Sequence, residues 1–286
     1  MNHNPRQSIR AIKKEYGVGF EKAQYIQSVL YNKEFNGRKP ISISQEEVDY
    51  VLNYKDNFNV GYKRIAKVTQ LDENAPQGIG EWKVRKIFDY HDLYNYQEDY
   101  IPKESHDKRF VARYAGQAWH TDLHYLELLA EENYKQKYLI GFVDDRSRKL
   151  LYYEILEDKE AESTTNALLN ALKIYSKPKT LIIDNGKEFI AKCFVSALNL
   201  YGINKHNVHP YTPEENGKVE RFWYTIERAK VRPLRGSYLE SLIEQYNKFW
   251  VHGGLKEITQ RNLTPNQAWD SMPHYIGQDD ANYIYY

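Results

Sequence analysis

Residues 119–156, WHTDLHYLELLAEENYKQKYLIGFVDDRSRKLLYYEIL, are the stretch that decides the fold. Three of its segments, 119–128, 138–144 and 149–156, are rich in aromatic and aliphatic residues, and short polar segments separate them. Such runs, bounded by turn-forming residues, are typical of β-strands that follow one another in a sheet. The stretch therefore predicts a three-stranded meander.

Helices and single strands alternate downstream of this meander. Residues 161–175 place apolar side chains at helical spacing, and 181–183 form a short apolar run of the kind that is buried on both faces of a sheet. A second helix ends at Gly202 as its C-cap, and 203–208 form the last strand. This order is typical of a ribonuclease-H-like domain, so we predict an α/β fold with a mixed five-stranded sheet flanked by helices.

An all-α region precedes that domain, and its first part is basic. Residues 1–40 hold eight Lys or Arg against three Glu, a net charge of +5, although the whole chain carries only +1. Apolar stripes on both sides of a break at 17–19 predict two short amphipathic helices, the outline of a helix-turn-helix. Local concentration of positive charge is how a nearly neutral chain can bind nucleic acid.

A second helical set follows, with predicted helices that start near Ser44, at Tyr62 and at Gly80. The last of them alternates core-type residues with basic ones, as a helix that enters a DNA groove does. We therefore predict DNA contacts from Lys83, Arg85 and Lys86. The alternative is a three-helix bundle with a solvated charged face.

Three carboxylates have a placement that suggests chemistry on a phosphodiester. Asp122 lies in the first predicted strand, Asp184 at the carboxyl end of the fourth, and Glu220 about one turn inside a helix predicted over 214–232. The two strands are adjacent in such a sheet, so both Asp side chains can point into one cleft. Two divalent ions about 3.5–4 Å apart need several shared anionic oxygens and open positions for water and phosphate.

Taken singly, these acids have simpler explanations. Asp122 could face solvent from its strand, and Asp184 precedes an Asn-Gly pair, which is typical of a turn. Their placement in adjacent strands is what favours a shared site. Among the other acids, Asp144 and Asp145 fall in a predicted hairpin turn and are interpreted as structural, and Glu188 as exposed.

The helix predicted over 214–232 is basic. Residues 216–235 contain six Lys or Arg against two Glu, a net charge of +4. A DNA strand could lie along such a helix, because phosphate neutralisation dominates nucleic-acid affinity. We predict that Lys218, Arg221 and Arg228 contact DNA; the alternative is a solvated helix with scattered ion pairs.

Four motifs resemble the integrase catalytic core of retroviral integrases and of bacterial insertion-sequence transposases. They are Trp119-x-x-Asp122, Asp144-Asp145-x-Ser147-Arg148, Asp184-Asn185-Gly186-x-Glu188-Phe189 and Pro210-Tyr211-x-Pro213-x-x-Asn216-Gly217-x-x-Glu220-Arg221-Phe222. Downstream, Tyr246-Asn247, His252-x-x-Leu255 and Leu263-Thr264-Pro265 are similar to the tail of the insertion-sequence group. The resemblance covers roughly residues 115 to 270. The His-His-Cys-Cys zinc module of retroviral integrases is absent, which favours the insertion-sequence branch.

The resemblance implies magnesium-dependent cutting and joining of DNA. Asp122, Asp184 and Glu220 match the three metal ligands of the family, which would hold two Mg²⁺ or Mn²⁺ ions with Asp122 bridging both. The implied partners are the terminal repeats of a mobile element and target DNA, with the protein acting as a homo-multimer on paired ends. One departure is Tyr224, at a position that is often basic in relatives.

Two other functions stay open at this point. One is a domesticated, sequence-specific DNA-binding protein whose integrase-like core is inactive. The other is a ribonuclease-H-like nuclease without joining activity. Intact acids argue against the first, and the helical modules with the downstream tail argue against the second.

The composition bears on the cellular compartment. Cys193 is the only cysteine, which excludes disulfide bonds within the chain and a cysteine-based zinc ribbon. No apolar run approaches the length of a membrane span, and residues 1–10 are too polar for a signal peptide. We expect an intracellular protein without membrane contact, cytoplasmic in the nucleoid if bacterial and nuclear if eukaryotic.

These inferences give five predicted regions. They are a first helix-turn-helix for DNA binding (1–40), a second one (41–95), a linker (96–116), the catalytic core (117–235) and a helical C-terminal extension (236–286).

Overall fold

The computed structural model describes residues 8–30, 42–94, 110–208, 213–277 and 284–285. Its chain divides into two compact units, Met1–Val48 and Asp49–Tyr286. Within the described parts, no helix is both long enough and apolar enough to cross a membrane. Most of the predicted linker, 96–116, lies outside the described residues, as do the ends of the predicted first module.

The first unit contains two short helices, α1 (Ile9–Tyr16) and α2 (Phe20–Leu30). Ser8 caps α1, since its hydroxyl accepts a hydrogen bond from the Ala11 N–H at 3.2 Å. Gly17 ends α1 in the left-handed conformation, with φ at 61°, where a residue without Cβ is not strained. The break predicted at 17–19 therefore separates two real helices.

Three further helices follow: α3 (Gln45–Asn57), α4 (Tyr62–Val68) and α5 (Glu81–His91). Ser44 and Glu47 form a capping box at the start of α3, with each side chain accepting from the backbone N–H of the other. The Thr69 hydroxyl lies 3.0 Å from the carbonyl oxygens of both Ala66 and Ile79. These contacts hold the end of α4 next to the residues that precede α5.

The main sheet has five strands in the order β4-β3-β2-β5-β6. The strands are β2 (Ala118–Tyr125), β3 (Tyr138–Asp144), β4 (Leu150–Leu156), β5 (Thr180–Ile183) and β6 (Asn204–Asn207). The first three pair antiparallel, while β5 is parallel to both β2 and β6. The mixed five-stranded sheet predicted from the sequence is confirmed. A second, two-stranded sheet pairs β1 (Phe110–Val111) with β7 (Ile284–Tyr285).

Helices lie around this sheet and continue after it. They are α6 (Ala161–Ile174), α7 (Lys187–Ile190), α8 (Lys192–Tyr201), α9 (Pro213–Ala229), α10 (Gly236–Glu244), a π-helical segment (Gln245–Phe249), α11 (Gly253–Thr259) and α12 (Pro265–Ser271). Trp119, Leu181 and Phe194 belong to one buried apolar cluster that joins the sheet to α6 and α8. Because side chains alternate along a strand, the residues next to Trp119 on β2 face the opposite side.

Two elements end three residues before their predicted ends. Strand β2 ends at Tyr125 rather than at residue 128. The carbonyl of the next residue, Leu126, accepts a hydrogen bond from the Gln136 side chain at 2.9 Å. Helix α9 ends at Ala229 rather than at 232. Pro233 contributes to this, because it has no N–H to bond the carbonyl of Ala229 four residues earlier, which accepts the Asn59 N–H instead.

Gly141 lets α9 lie close to the sheet. It is opposite Asp122 in the register of β2 and β3, and the Trp223 ring of α9 fills the space above it. On its other side, that ring stacks on the His124 imidazole, with centroids 5.0 Å apart. A side chain at 141 would therefore displace the helix that carries Glu220.

We expect Gly141→Ala to lower the free energy of unfolding by about 1–3 kcal/mol, the usual cost of overpacking. The added Cβ would lie 3.0 Å from Trp223 Cη2 and 3.1 Å from Leu150 Cδ1. Urea denaturation measures the change. Gly217→Ala in α9 is the matched control, because a Cβ there meets nothing within 4 Å; equal behaviour of the two variants would contradict the packing argument.

The second helical set packs on α9 and on the segment after α10. Tyr54 of α3 donates to Gln245 Oε1 at 2.7 Å and accepts from Trp250 Nε1 at 2.9 Å. The Asn59 N–H reaches the carbonyl of Ala229, the last residue of α9, at 2.7 Å. The described residues 49–94 thus belong to the same compact unit as the sheet domain.

Candidate active site

Asp122 lies within β2 and Asp184 directly follows β5, the strand that pairs parallel with β2. His120 is paired with Ile182 in the register of β2 and β5, and each Asp lies two residues further along its own chain. Parallel strands run about 4.8 Å apart, and residues in register point to the same face. The placement expected from the sequence therefore follows from the observed pairing.

The environment of Asp122 disfavours its negative charge. Burial is the largest cause, the nearby carboxylate of Asp184 adds to it, and Glu220 contributes a smaller repulsion; together they raise the pKa of Asp122 to about 6. One stabilising contact is the hydrogen bond that its Oδ1 accepts from the Leu123 N–H at 2.8 Å. The three carboxylates thus share one electrostatic environment.

The Asp184 turn is held by a small amide network. Asp184 Oδ1 accepts from the Gly186 N–H at 2.9 Å, as expected for an Asp before Asn-Gly. The Asn185 side chain donates to the Val208 carbonyl at 3.0 Å and accepts from Asn207 Nδ2 at 2.7 Å. Strand β6 therefore fixes the turn that presents Asp184.

Glu188 was interpreted from the sequence as exposed, but its side chain lies against the Asp184 turn. It is partly buried, and a Cβ built on Gly186 would lie 2.9 Å from the Glu188 carboxylate and 3.0 Å from Asp184 Oδ1. Two carboxylates therefore flank Gly186. The sequence signal was the spacing of four residues from Asp184, which places Glu188 on the short helix α7 that begins directly after the turn.

Gly186→Ala should leave the fold intact but reduce the activity on DNA that the integrase resemblance implies by roughly 10- to 100-fold, because small displacements of reacting groups are costly. The atoms that must move are the ends of the Asp184 and Glu188 side chains, so the effect on folding is small. Steady-state kinetics and thermal unfolding test this together. Gly253→Ala, where a Cβ meets nothing within 4 Å, serves as the control, and full activity of Gly186→Ala would contradict the assignment.

Glu220 reaches the site from α9. The residue is exposed, and partial burial of its carboxyl raises its pKa. Its helix is anchored beyond it by Glu227, whose carboxylate bonds His124 Nε2 at 2.8 Å and pairs with Lys230 at 2.8 Å. His124 shares the α9-facing side of β2 with Asp122, as the alternation of the strand predicts.

The donor set fits hard divalent cations, which prefer carboxylate oxygens. Burial is the main cause of the raised pKa of Asp122, and such ions would neutralise the neighbouring carboxylates that add to it. Within the described ranges, however, no three His, Cys, Asp or Glu side chains are arranged closely enough to hold an ion. Asp122, Asp184 and Glu220 are therefore near one another without forming a closed ligand set.

The two acids of the β3–β4 turn, Asp144 and Asp145, are fully buried. Asp144 accepts from the N–H groups of Gly116 and Ser147, both at 2.7 Å, and its burial raises its pKa to about 6. Burial also opposes ionisation of Asp145, but the Lys218 ammonium and His120 outweigh it and hold the pKa of Asp145 well below its usual range. Lys218 thus contacts a buried carboxylate, and its ammonium is mostly enclosed.

The other basic residues predicted to contact DNA lie at surfaces. Arg221 and Arg228 both lie over the Tyr224 ring of α9, with guanidinium-to-centroid distances of 5.3 and 5.6 Å. On α5, Arg85 and Lys86 are exposed and Lys83 is partly buried. Lys86 lies 3.4 Å from Asp89 on the same helix.

Arg64 was not singled out from the sequence. It lies in α4 with its guanidinium 4.8 Å from the centre of the Trp250 ring, and its burial lowers its pKa, as do Arg221 and Arg228 nearby. Among the described residues, no Asp or Glu forms an ion pair with it. Sequence patterns around residue 64 gave no signal, because its neighbours come from a segment more than 150 residues away.

Part of this chain is similar to a described family of domains. Residues 112–213 match the family model of the integrase core domain. The Retrovirus-related Pol polyprotein from transposon TNT 1-94 of Nicotiana tabacum is 37% identical over 101 residues, which are 34% of this chain and 8% of that polyprotein. The Pol polyprotein of equine infectious anemia virus (strain Wyoming) is 33% identical over 91 residues, 32% of this chain and 8% of that protein. The matched stretches thus span less than a tenth of these relatives.

Similar solved structures include the HTLV-2 integrase catalytic core domain in complex with magnesium, in its trimeric form. It is 18% identical, covers 55% of this chain and 98% of that chain, and has a TM-score of 0.43. The simian T-cell lymphotropic virus intasome in complex with PP2A regulatory subunit B56 gamma is 17% identical, covers 72% and 74% of the two chains, and has a TM-score of 0.47. Residues 112–213 therefore match the integrase core domain, and the chain has relatives among the Pol polyproteins of retroviruses and transposons.

Proposed function

We propose that this protein is a DNA transposase of the insertion-sequence type, which cleaves DNA at the ends of an element and joins them to a target. The observation that supports the proposal is the electrostatic environment of Asp122, whose pKa is raised to about 6 by burial first and then by the nearby carboxylates of Asp184 and Glu220. The integrase core match over residues 112–213 supports the same class of reaction.

Asp122, Asp184 and Glu220 are the residues that would hold two Mg²⁺ or Mn²⁺ ions. When bound, such ions supply activation of the attacking oxygen and stabilisation of the leaving oxygen. The protein itself orients the carboxylates. Strand β5 and the amide network of Asn185 position Asp184, while His124 and Trp223 hold α9 and thereby Glu220.

Basic residues on and near α9 could bind the phosphates of a DNA strand. Arg221 and Arg228 flank Tyr224 on the helix that carries Glu220, and Arg64 adds a third guanidinium nearby. Arginine presents several donors in a planar fork that matches phosphate oxygens. We propose that the element end lies along α9, and that Lys83, Arg85 and Lys86 of α5 contact DNA further away.

The amino-terminal helices would recognise the terminal repeats of the element. Helix α1 carries Arg10, Lys13 and Lys14 against one acid, and α5 exposes Arg85 and Lys86. We propose that both sets bind DNA in the manner of helix-turn-helix modules and that the active assembly is a homo-multimer on two paired ends.

A joining assay tests this function. Labelled DNA that carries the inverted repeats flanking the coding region is incubated with the purified protein, a supercoiled target plasmid and Mg²⁺ or Mn²⁺. Joined products support the proposal. Specific binding of the ends without cleavage would instead identify a DNA-binding protein with an inactive core, and cleavage without joined products would identify a nuclease.

A further inference from the structure

The carboxylate of Asp145 lies at a junction of three chain segments. Its Oδ2 accepts the Ala112 N–H at 2.6 Å, and its Oδ1 contacts His120 Nε2 at 2.7 Å and the Lys218 ammonium. The Asp145 side chain is 0% exposed and that of Lys218 is 14% exposed. The ion pair is therefore almost entirely removed from water.

Strand β2 and helix α9, which provide His120 and Lys218, each carry a proposed metal ligand. His120 is two residues before Asp122 on β2, and Lys218 is two residues before Glu220 on α9. One buried carboxylate thus touches the strand that presents Asp122 and the helix that presents Glu220. The contacts of Asp145 with His120 and Lys218 therefore help to set the distance between β2 and α9.

Stability alone does not account for such a pair. Removing two charges from water costs about as much as their attraction returns, so a buried ion pair is weak evidence for stabilisation and is best attested where it fixes one arrangement. Here the arrangement at stake is the start of α9. Trp223, Glu227 and Ala229 anchor the helix on the carboxyl side of Glu220, whereas Lys218 forms its ion pair on the amino side.

We propose that Asp145 and Lys218 form a latch that holds the first turns of α9 against β2 and so positions Glu220 over Asp122 and Asp184. Both are positioning residues, which act through Glu220 and β2 rather than on the substrate. The inference rests on the proposed function in one respect, namely that Glu220 is a metal ligand. It gives Lys218 a role other than the DNA contact predicted from the sequence.

Three variants of the full-length protein test the latch. Lys218→Met removes the ammonium, and Asp145→Asn with Lys218→Met removes both charges together, which avoids an unpaired buried charge and preserves folding. Lys218→Arg keeps the ion pair and should restore the wild-type behaviour. Glu132→Gln is the control, because it weakens the two-bond contact with Arg235 (2.9 and 2.8 Å), which lies outside α9.

Amide hydrogen exchange of the ion-free protein is the direct readout. We expect residues 217–224 to exchange at least about tenfold faster in Lys218→Met and in the double variant, with α6 unchanged, because the opening is local. Mn²⁺ binding, followed by calorimetry, should weaken by roughly 10- to 100-fold, the usual cost of losing a group that orients a ligand. Unchanged exchange and unchanged Mn²⁺ affinity in a folded double variant would overturn the latch.

The DNA-joining assay separates this inference from the proposed function. If the wild-type protein does not act on DNA but the exchange and Mn²⁺ results are as expected, the latch stands and the proposed function fails. If Lys218→Met only raises the KM for DNA and flattens its salt dependence, with exchange unchanged, Lys218 is a phosphate contact and the latch is wrong.

Discussion

Glu220→Gln is expected to reduce both cleavage and joining of DNA by roughly 100- to 1,000-fold, the scale of losing one group that stabilises charge in a transition state. The substitution keeps the size of the side chain and removes its negative charge. Because Glu220 is exposed on α9, folding should be nearly unaffected, so the loss reports on chemistry.

Single-turnover rates at saturating DNA measure this loss. Glu240→Gln, an exposed acid of α10, is the matched control and should keep the wild-type rate. DNA affinity of Glu220→Gln should remain close to that of the wild type, since the residue contributes no positive charge. A variant that joins DNA at the normal rate would remove Glu220 from the site.

Asp122→Asn is expected to abolish activity and, at the same time, to stabilise the ion-free protein by about 1–3 kcal/mol at pH 8. The pKa of Asp122 is raised to about 6 in the folded protein, from 3.8. A raised pKa means that the folded state favours the protonated form, so stability is lost as the pH rises through 6. The amide of Asn carries no charge, so the variant does not lose the free energy that burial of the ionised carboxylate costs the wild type.

Urea denaturation with EDTA between pH 3.5 and pH 8 measures the difference. The two proteins should be nearly equal at the acidic end, should diverge as the pH rises from about 4 to about 6, and should then keep a nearly constant difference. Mg²⁺ should stabilise the wild type by mass action and leave Asp122→Asn almost unchanged. Asp56→Asn on the surface of α3 is the control. A variant that is no more stable than the wild type at pH 8 would contradict the electrostatic picture.

Much of the sheet domain could be predicted because its strands carry local signals. Residues 138–144 form β3 as expected, and Gly202 ends α8 in the left-handed conformation with φ at 63°. Hydrophobic runs and turn residues act within a few positions of each other, so a single sequence contains them. The placement of Asp122 and Asp184 follows from the order of those strands.

Contacts between distant segments could not be predicted in the same way. Asp145 meets Lys218, which is 73 residues away, and Arg64 meets Trp250, although several other charges and aromatic rings would have suited either partner equally well. A charged residue on a predicted helix looks the same whether it faces solvent, DNA or a buried carboxylate. The role of Gly141 was equally invisible, since it depends on the ring of Trp223 lying above it.

The central claim is that Asp122, Asp184 and Glu220 together hold divalent ions. Crystals of the protein soaked in Mn²⁺ would test it most directly, by anomalous difference maps that locate each ion. The account predicts ions bound between these three carboxylates, with Glu220 drawn toward the two Asp side chains and no such ions in Asp122→Asn. Ordered Mn²⁺ bound elsewhere, with none in contact with Asp122, would contradict it.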